Sequence, residues 1–187
     1  HRVRRNQSFA AGTSGPISGV DAAADNCWKL PPLDEVLAMA AARGITLPPG
    51  NIRVGAFGDS AALSEQLLAL IRAGRKRGGA SLVWSHAFAN EALPAVGDIE
   101  IVLDHCNRLA LITRSIQVEV KPFSAVGADF AAVEGEGDGS LEYSQREHWC
   151  YFTRECRRIG RLPEQSMPVV CERFELLQDL ATMPQPI

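Results

Sequence analysis

The chain has 187 residues, 46% apolar and 22% charged, with a formal net charge of −3. That length fits one domain with extensions. No apolar run approaches the roughly 20 residues a membrane-spanning helix needs, and the slightly acidic balance argues against indiscriminate nucleic-acid binding, although a local basic patch can still hold a phosphate chain.

The start, His1-Arg2-Val3-Arg4-Arg5, lacks an initiator Met and points to a fragment or processed chain. Its basic head is not followed by an apolar stretch, so a secretory signal is not expected. Residues 1–29, rich in Ala, Gly, Ser and Asn, read as a flexible N-terminal extension. Five cysteines (Cys27, Cys106, Cys150, Cys156 and Cys171) form no C-x-x-C pair. Neither a disulfide framework nor a zinc ribbon is expected; buried free thiols in the cytoplasm are.

Pro31-Pro32 opens a first helix, with Asp34 and Glu35 in its first turn, Val36, Leu37 and Ala40 on its apolar face and Arg43-Gly44 at its end. A second helix starts near Asp59 or Ser60. Its Leu63, Leu67, Leu70 and Ile71 form one stripe, and Gly74 suits the left-handed residue beyond its end. The pattern then changes to period two. Ala80 to Trp84 reads as a strand, Val96-Gly97-Asp98 as a turn, and Ile99, Ile101 and Leu103 as one face of a strand alternating with Glu100, Val102 and Asp104.

Leu109 to Ile112 and Ile116 to Val120 continue the β pattern after a hairpin loop at Cys106-Asn107-Arg108. Ser140 caps a third helix with Trp149, Phe152, Cys156 and Ile159 inward and Gly160 at its end. Met167 to Leu177 closes as a strand, and residues 178–187 form a C-terminal tail. Uneven strands with helices between them imply an α+β fold, with a small closed or nearly closed barrel as the best fit.

Two segments stand out chemically. Gly74-Arg75-Lys76-Arg77-Gly78-Gly79 places three cations and bare backbone at a helix-to-strand corner. Cations favour helix C-termini by about 0.3–1 kcal/mol, so a solvated helix end explains them too. Glycines entering a strand instead mark close approach of a backbone or ligand. Glu134-Gly135-Glu136-Gly137-Asp138-Gly139-Ser140 clusters three acids. It resembles half a calcium loop, but Gln145 stands where the closing Glu would be. It also suits a helix-entry loop, or a site where mutual repulsion and burial raise one carboxyl's pKa beside a lysine, ready for acid–base work. The cations Arg154, Arg157, Arg158 and Arg161 read as a solvated helix face or a phosphate-contacting one. His86, His105 and His148 show no ligand spacing.

Several of these segments occur in an order that resembles the ASCH (ASC-1 homology) domain. They are Gly58-Asp59-Ser60, Leu67-Leu68-Ala69-Leu70, Ala73-Gly74-Arg75-Lys76 and Ala80-Ser81-Leu82. Val96-Gly97-Asp98 follows, then Glu134-Gly135-Glu136-Gly137-Asp138, His148-Trp149 and Pro168-Val169-Val170-Cys171-Glu172-Arg173-Phe174, as in the bacterial branch with the E-G-E-G-D motif. The resemblance spans residues 30–177. It implies a PUA-like β-barrel with helices packed around it and a cleft associated with RNA.

The family's G-x-K motif falls on Gly74 and Lys76 and its acidic position on Glu134. One branch of the superfamily hydrolyses N4-acetylcytidine with a Thr, a Lys and a Glu; here the Thr position is Gly79, and Ser81 is the nearest substitute. Other members are associated with RNA binding and ribonuclease activity. The resemblance therefore implies an RNA- or nucleotide-binding domain in which Lys76, Arg75 and Arg77 hold phosphate. Glu134 or Asp138 would act as acid or base, or take a divalent cation, with Glu136 among the ligand-binding residues. Gly79, Ser81 and Ser140 would line the site, and Trp84 or Trp149 would stack a base. A nucleoside amidohydrolase and a non-catalytic nucleotide-binding module are the alternatives.

Overall fold

The computed structural model describes residues 30–181; the expected N-terminal extension and residues 182–187 of the expected tail lie outside them. Helix α1 (Leu33–Ala42) follows Pro32, carries Asp34 and Glu35 in its first turn and buries Val36 and Ala40. Helix α2 (Ala61–Arg72) is capped by Ser60, whose side chain accepts from the Leu63 amide, and buries Leu63, Leu67, Leu68 and Ile71. These two helices match the sequence reading, because cap and stripe are local signals.

Five strands form one curled half-barrel in the order β1-β3-β4-β5-β2. They are β1 (Ile52–Ala56), β2 (Gly78–Leu82), β3 (Ile99–Leu103), β4 (Leu109–Pro122) and β5 (Pro168–Asp179). Strand β1 runs parallel to β3, and the other neighbours are antiparallel. Register shifts at Val102/Leu103, Ile112/Thr113 and Ser115/Gln117 bend the long strands, which is how irregular pairing curls a sheet. Asp104 holds the β3–β4 hairpin by accepting from the Cys106 and Arg108 amides at 2.8 and 2.9 Å.

Strand β1 was not foreseen from the sequence. The expected strand from Ala80 to Trp84 stops at Leu82, and Val83–Phe88 is helix α3, so Trp84 is a helical residue. In β3 every residue is buried, Glu100 and Val102 included, rather than alternating. The two expected β segments after the hairpin are one strand, β4. Helix α4 (Ala128–Glu134) precedes the acidic loop, and α5 (Leu141–Arg158) begins at the expected cap, Ser140. Its inward stripe is Ser144, Glu147, His148, Tyr151, Phe152 and Cys156, with Trp149 and Ile159 only half-buried. Strand β5 runs two residues past its expected end, and the fully buried Leu180 follows it. Cys156 and Cys171 are buried, whereas Cys106 and Cys150 are exposed.

One core cluster packs α2 and α5 against the sheet through Phe57, Leu67, Val102, Phe152 and Phe174; a second lies under α1 around Val54, Ile101, Leu103 and Ile112. No helix among the described residues is long and apolar enough to cross a membrane.

The end of α4 fixes the site described below. Gly135 sits at φ 61°, and a Cβ there would strike the Arg75 carbonyl. Left-handed backbone costs a non-glycine residue about 1–2 kcal/mol. Gly139 is also left-handed, at φ 76°, but a Cβ there meets nothing within 4 Å. Gly135→Ala should therefore destabilise the protein clearly more than Gly139→Ala in urea denaturation. Equal losses would show that the acidic loop does not rest on the Arg75 backbone.

Candidate functional site

Lys76, predicted to hold phosphate, is fully buried. Its ammonium donates to the Gly78 carbonyl at 2.7 Å and to Glu136 Oε1 at 2.5 Å, and lies 5.5 Å from the Phe57 ring centre. Gly74, at φ 69°, turns the chain out of α2 so that the Arg75 and Lys76 amides both reach the Leu70 carbonyl. The acidic loop meets this segment, with the Arg77 amide donating to the Val133 carbonyl at 2.8 Å.

Glu134 is 1% exposed. Its Oε1 lies 3.2 Å from His148 Nε2, and its Oε2 accepts from the Ser144 hydroxyl at 3.2 Å. His148 Nδ1 donates to the Ser144 carbonyl at 2.9 Å. Burial alone would push the Glu134 carboxyl up, but the charges of His148 and Lys76 and the Ser144 hydroxyl outweigh it and hold its pKa below the ordinary value. Burial likewise opposes charge on His148, yet Glu134, and behind it Glu136, raise its pKa to about 9. Two cations, Lys76 and His148, thus balance two carboxylates, Glu134 and Glu136, inside the protein.

The sequence reading placed a raised-pKa acid in this loop; the structure reverses it, because His148 supplies a cation the reading did not assign. The raised carboxyl is Glu100, lifted to about 8 by burial and then by Glu172. Gly137 lets the Tyr143 ring pack flat on the loop, since a Cβ there would overlap the ring. Asp138 stays at the surface, its Oδ1 accepting from the Ser140 amide at 2.9 Å, and Ser140 caps α5 by accepting from the Tyr143 amide at 3.1 Å. Among the described residues no group of three or more His, Cys, Asp or Glu has metal-holding geometry.

The remaining predicted residues scatter. Gly79 lies buried in β2 opposite Glu172. The Ser81 hydroxyl is 2.8 Å from His86 Nε2. Trp84 is half-buried with the Arg161 guanidinium 4.4 Å from its ring centre, and Trp149 packs 5.4 Å from Phe123. Of the arginines on and after α5, Arg154 pairs with Asp59 at 3.7 Å and Arg158 with Glu155 at 2.8 Å.

Beside the buried network lies an open groove of about 510 Å³, walled by Gly74, Lys76 and Val133, floored by Ile71 and Phe174 and rimmed by Arg72, Arg77 and Arg173. Arg72 is held by Asp179 at 3.1 Å and Arg173 by Asp129 at 3.2 Å. The Arg77 guanidinium donates to the Gly74 carbonyl at 2.9 Å and has no carboxylate partner among the described residues. By contrast, the cavity against Glu134, Ser144 and His148 is about 10 Å³, at the margin for one water molecule. Of the predicted residues the groove collects Gly74, Lys76 and Arg77. Arg72 and Arg173 were missed: Arg173 comes from β5, far off in sequence, whereas Arg72 ends α2 two residues before Gly74 and was open to the same local reading.

Removing one member of a buried pair costs about 3–5 kcal/mol, because the survivor is left uncompensated. Lys76→Met should lose stability on that scale in urea denaturation, and adding Glu136→Gln should recover most of it; an additive double variant would show that the two are not energetically paired. His148 binds its proton more tightly folded than unfolded, so its contribution is complete below pH 6.5 and lost as pH rises towards 9. Glu100 adds a loss of the same sign between pH 4.5 and 8. His148→Gln should therefore remove the part of the alkaline stability loss that survives in Glu100→Gln. A His148→Gln profile parallel to the parent's up to pH 9 would contradict the pairing with Glu134.

No curated protein matches the chain. Among solved structures, the ASCH domain from Lactobacillus crispatus JV V101 is 30% identical, with 67% of this chain and 79% of that chain covered and a TM-score of 0.64. A protein of Enterococcus faecalis V583 is 28% identical over 79% of this chain and 87% of its own, also with a TM-score of 0.64. The ASCH domain model matches residues 53–178, from β1 through nearly all of β5, and so takes in both the groove and the buried charges. On that match, and on a half-barrel shared with those structures, the chain belongs to the ASCH domain family.

Proposed function

We propose that this chain is an RNA- or nucleotide-binding module whose ligand lies in the groove beside Lys76. The observation that carries the reading is an apolar-floored groove of about 510 Å³ rimmed by three guanidiniums. That volume falls within the roughly 300–1,000 Å³ of small-ligand sites and suits one nucleotide unit. Guanidiniums bind phosphate oxygens in a planar fork, and Arg77, without a carboxylate to satisfy it, is the one most available to an incoming phosphate. A PUA-like fold, often linked to RNA binding, agrees with this.

In this reading Lys76 supports the wall rather than touching phosphate, since its ammonium is occupied by Gly78 and Glu136. Cleavage of RNA would need a base in the groove, and Glu175 is the carboxylate that lines it. The nucleoside amidohydrolase alternative calls for a hydroxyl beside Lys76 and Glu134. Gly79 supplies none, and the Ser81 hydroxyl is turned to His86, with no contact to Lys76 or Glu134.

A short single-stranded RNA titrated at rising salt tests the binding. The logarithm of affinity should fall linearly with the logarithm of salt, and each of Arg77→Ala and Arg173→Ala should flatten the slope by about 0.7 for every phosphate left unneutralised. A flat salt response in the parent protein would end this reading. Intact RNA after incubation, with binding retained, would select the non-catalytic module; cleavage abolished by 2′-deoxy substitution would select the ribonuclease.

A further inference from the structure

A second constellation lies away from the groove, at the corner where β2 passes into α3. Ser81 is partly exposed, and its Oγ is 2.8 Å from Nε2 of His86, which is 6% exposed. On the far side of the same ring, Nδ1 faces Glu91 Oε2 at 4.0 Å. Hydroxyl, imidazole and carboxylate thus follow one another, from residues five apart in sequence, with the carboxylate still beyond hydrogen-bond distance of Nδ1. The order of atoms is that of an activated nucleophile: hydroxyl on one ring nitrogen, orienting acid on the other.

Three further features bear on the arrangement. Ser81 is the penultimate residue of β2, paired with Val170, and Leu82 alone separates it from helix α3, so it stands at the end of the strand next to the helix start. Gly79, two residues earlier on the same strand face, adds no side chain over Ser81. Burial, and then the Arg53 charge, lower the His86 pKa to about 4, so the ring is neutral at physiological pH, with a lone pair to offer the Ser81 hydroxyl but weak basicity until an anion such as Glu91 draws closer. The charged groups facing it are Arg53 from β1 and Glu91 from the segment after α3.

We propose that Ser81, His86 and Glu91 form a serine relay that accepts an acyl group from a small ester or amide. The Ser81 Oγ–C bond forms as its proton passes to His86 Nε2. The C–N or C–O bond of the substrate then breaks, and the same proton leaves on the departing amine or alcohol. Water, deprotonated by His86, next displaces the acyl group as a carboxylic acid and returns the hydroxyl to Ser81. Glu91 is a positioning residue, holding the tautomer with hydrogen on Nδ1. Its 4.0 Å separation must shorten when substrate binds, as such contacts commonly do.

The test is covalent labelling of the full chain with a fluorophosphonate. Oγ attacks phosphorus, fluoride leaves and the Ser81 proton goes to His86. Intact-mass and peptide analysis should find one adduct, on Ser81. His86→Ala, confirmed folded by its melting temperature, should label about 10²–10⁴-fold more slowly, and added imidazole should restore part of the rate. The labelling rate of the parent should fall with a midpoint near pH 4, and Glu91→Gln should shift that midpoint lower, because removing the anion weakens the imidazolium.

No adduct on Ser81, or labelling equally fast in His86→Ala, overturns the proposal and leaves the Ser81–His86 bond as a structural clasp. A midpoint unmoved in Glu91→Gln removes Glu91 from the relay. RNA binding by the unmodified protein is scored separately, so failure here and failure of the groove reading are distinguishable.

Discussion

The structure depends on the ammonium of Lys76 being kept out of water. An isolated buried ion costs several kcal/mol even after relaxation, so a fully buried lysine commits its surroundings to neutralising it. Here the commitment spreads through four segments. The Gly78 carbonyl of β2 and the Glu136 carboxylate take the ammonium's hydrogens. Glu136 follows two residues after Glu134, the last residue of α4, and a second buried carboxylate demands a second cation, which α5 supplies as His148. Two cations against two anions leave little net charge in the interior. Helix α2, strand β2, the loop after α4 and helix α5 are therefore tied by electrostatics as well as by apolar contact.

This arrangement divides labour between two neighbouring places. The acidic loop and Lys76 satisfy one another, and the space beside Glu134 and His148 has no room for a nucleotide. The groove on the other side of Val133 has the room, and its cations come from α2, the β2 approach and β5. A motif read as a phosphate clamp facing a carboxylate base is thus split. Its lysine and acids hold the wall, and Arg77, one residue from the lysine, lines the groove.

What was legible in the sequence follows the reach of each signal. Ser60 and Ser140 each bond an amide three residues on, so both caps could be read from short spacing. Strand β1 escaped because Arg53 and Gly55 blur a five-residue pattern, and its stability comes from parallel pairing with residues some 47 positions later. The alternation read into β3 was misleading because the strand lies between β1 and β4. Half-buried Arg53 and its buried cross-strand neighbours Glu100 and Thr113 form a polar row that nothing in the local pattern announces. Trp84 was read as the end of a strand, yet α3 begins as soon as β2 loses its partner at Val169. At the site, Lys76 and Glu134 were recognised through resemblance to a family. His148 was set aside because ligand spacing is a one-element criterion, and its partner Glu134 sits on another helix.

The same backbone contacts that close the buried network also set the groove. The Arg77 amide is held by the Val133 carbonyl, and Gly135 lies against the Arg75 carbonyl, so the cationic corner and the acidic loop share one main-chain seam. Lys76 lies between Arg75 and Arg77, with its side chain locked inward, and this fixes the direction in which its two neighbours emerge. An anion drawn to Arg77 therefore meets a guanidinium whose backbone is already immobilised, and less conformational entropy is lost on binding than at a loose helix end. In the proposed binding mode, a buried lysine thereby takes part without any contact to ligand. It also explains why the cations cluster at a place where a solvated helix terminus alone would explain the charge but not the glycines.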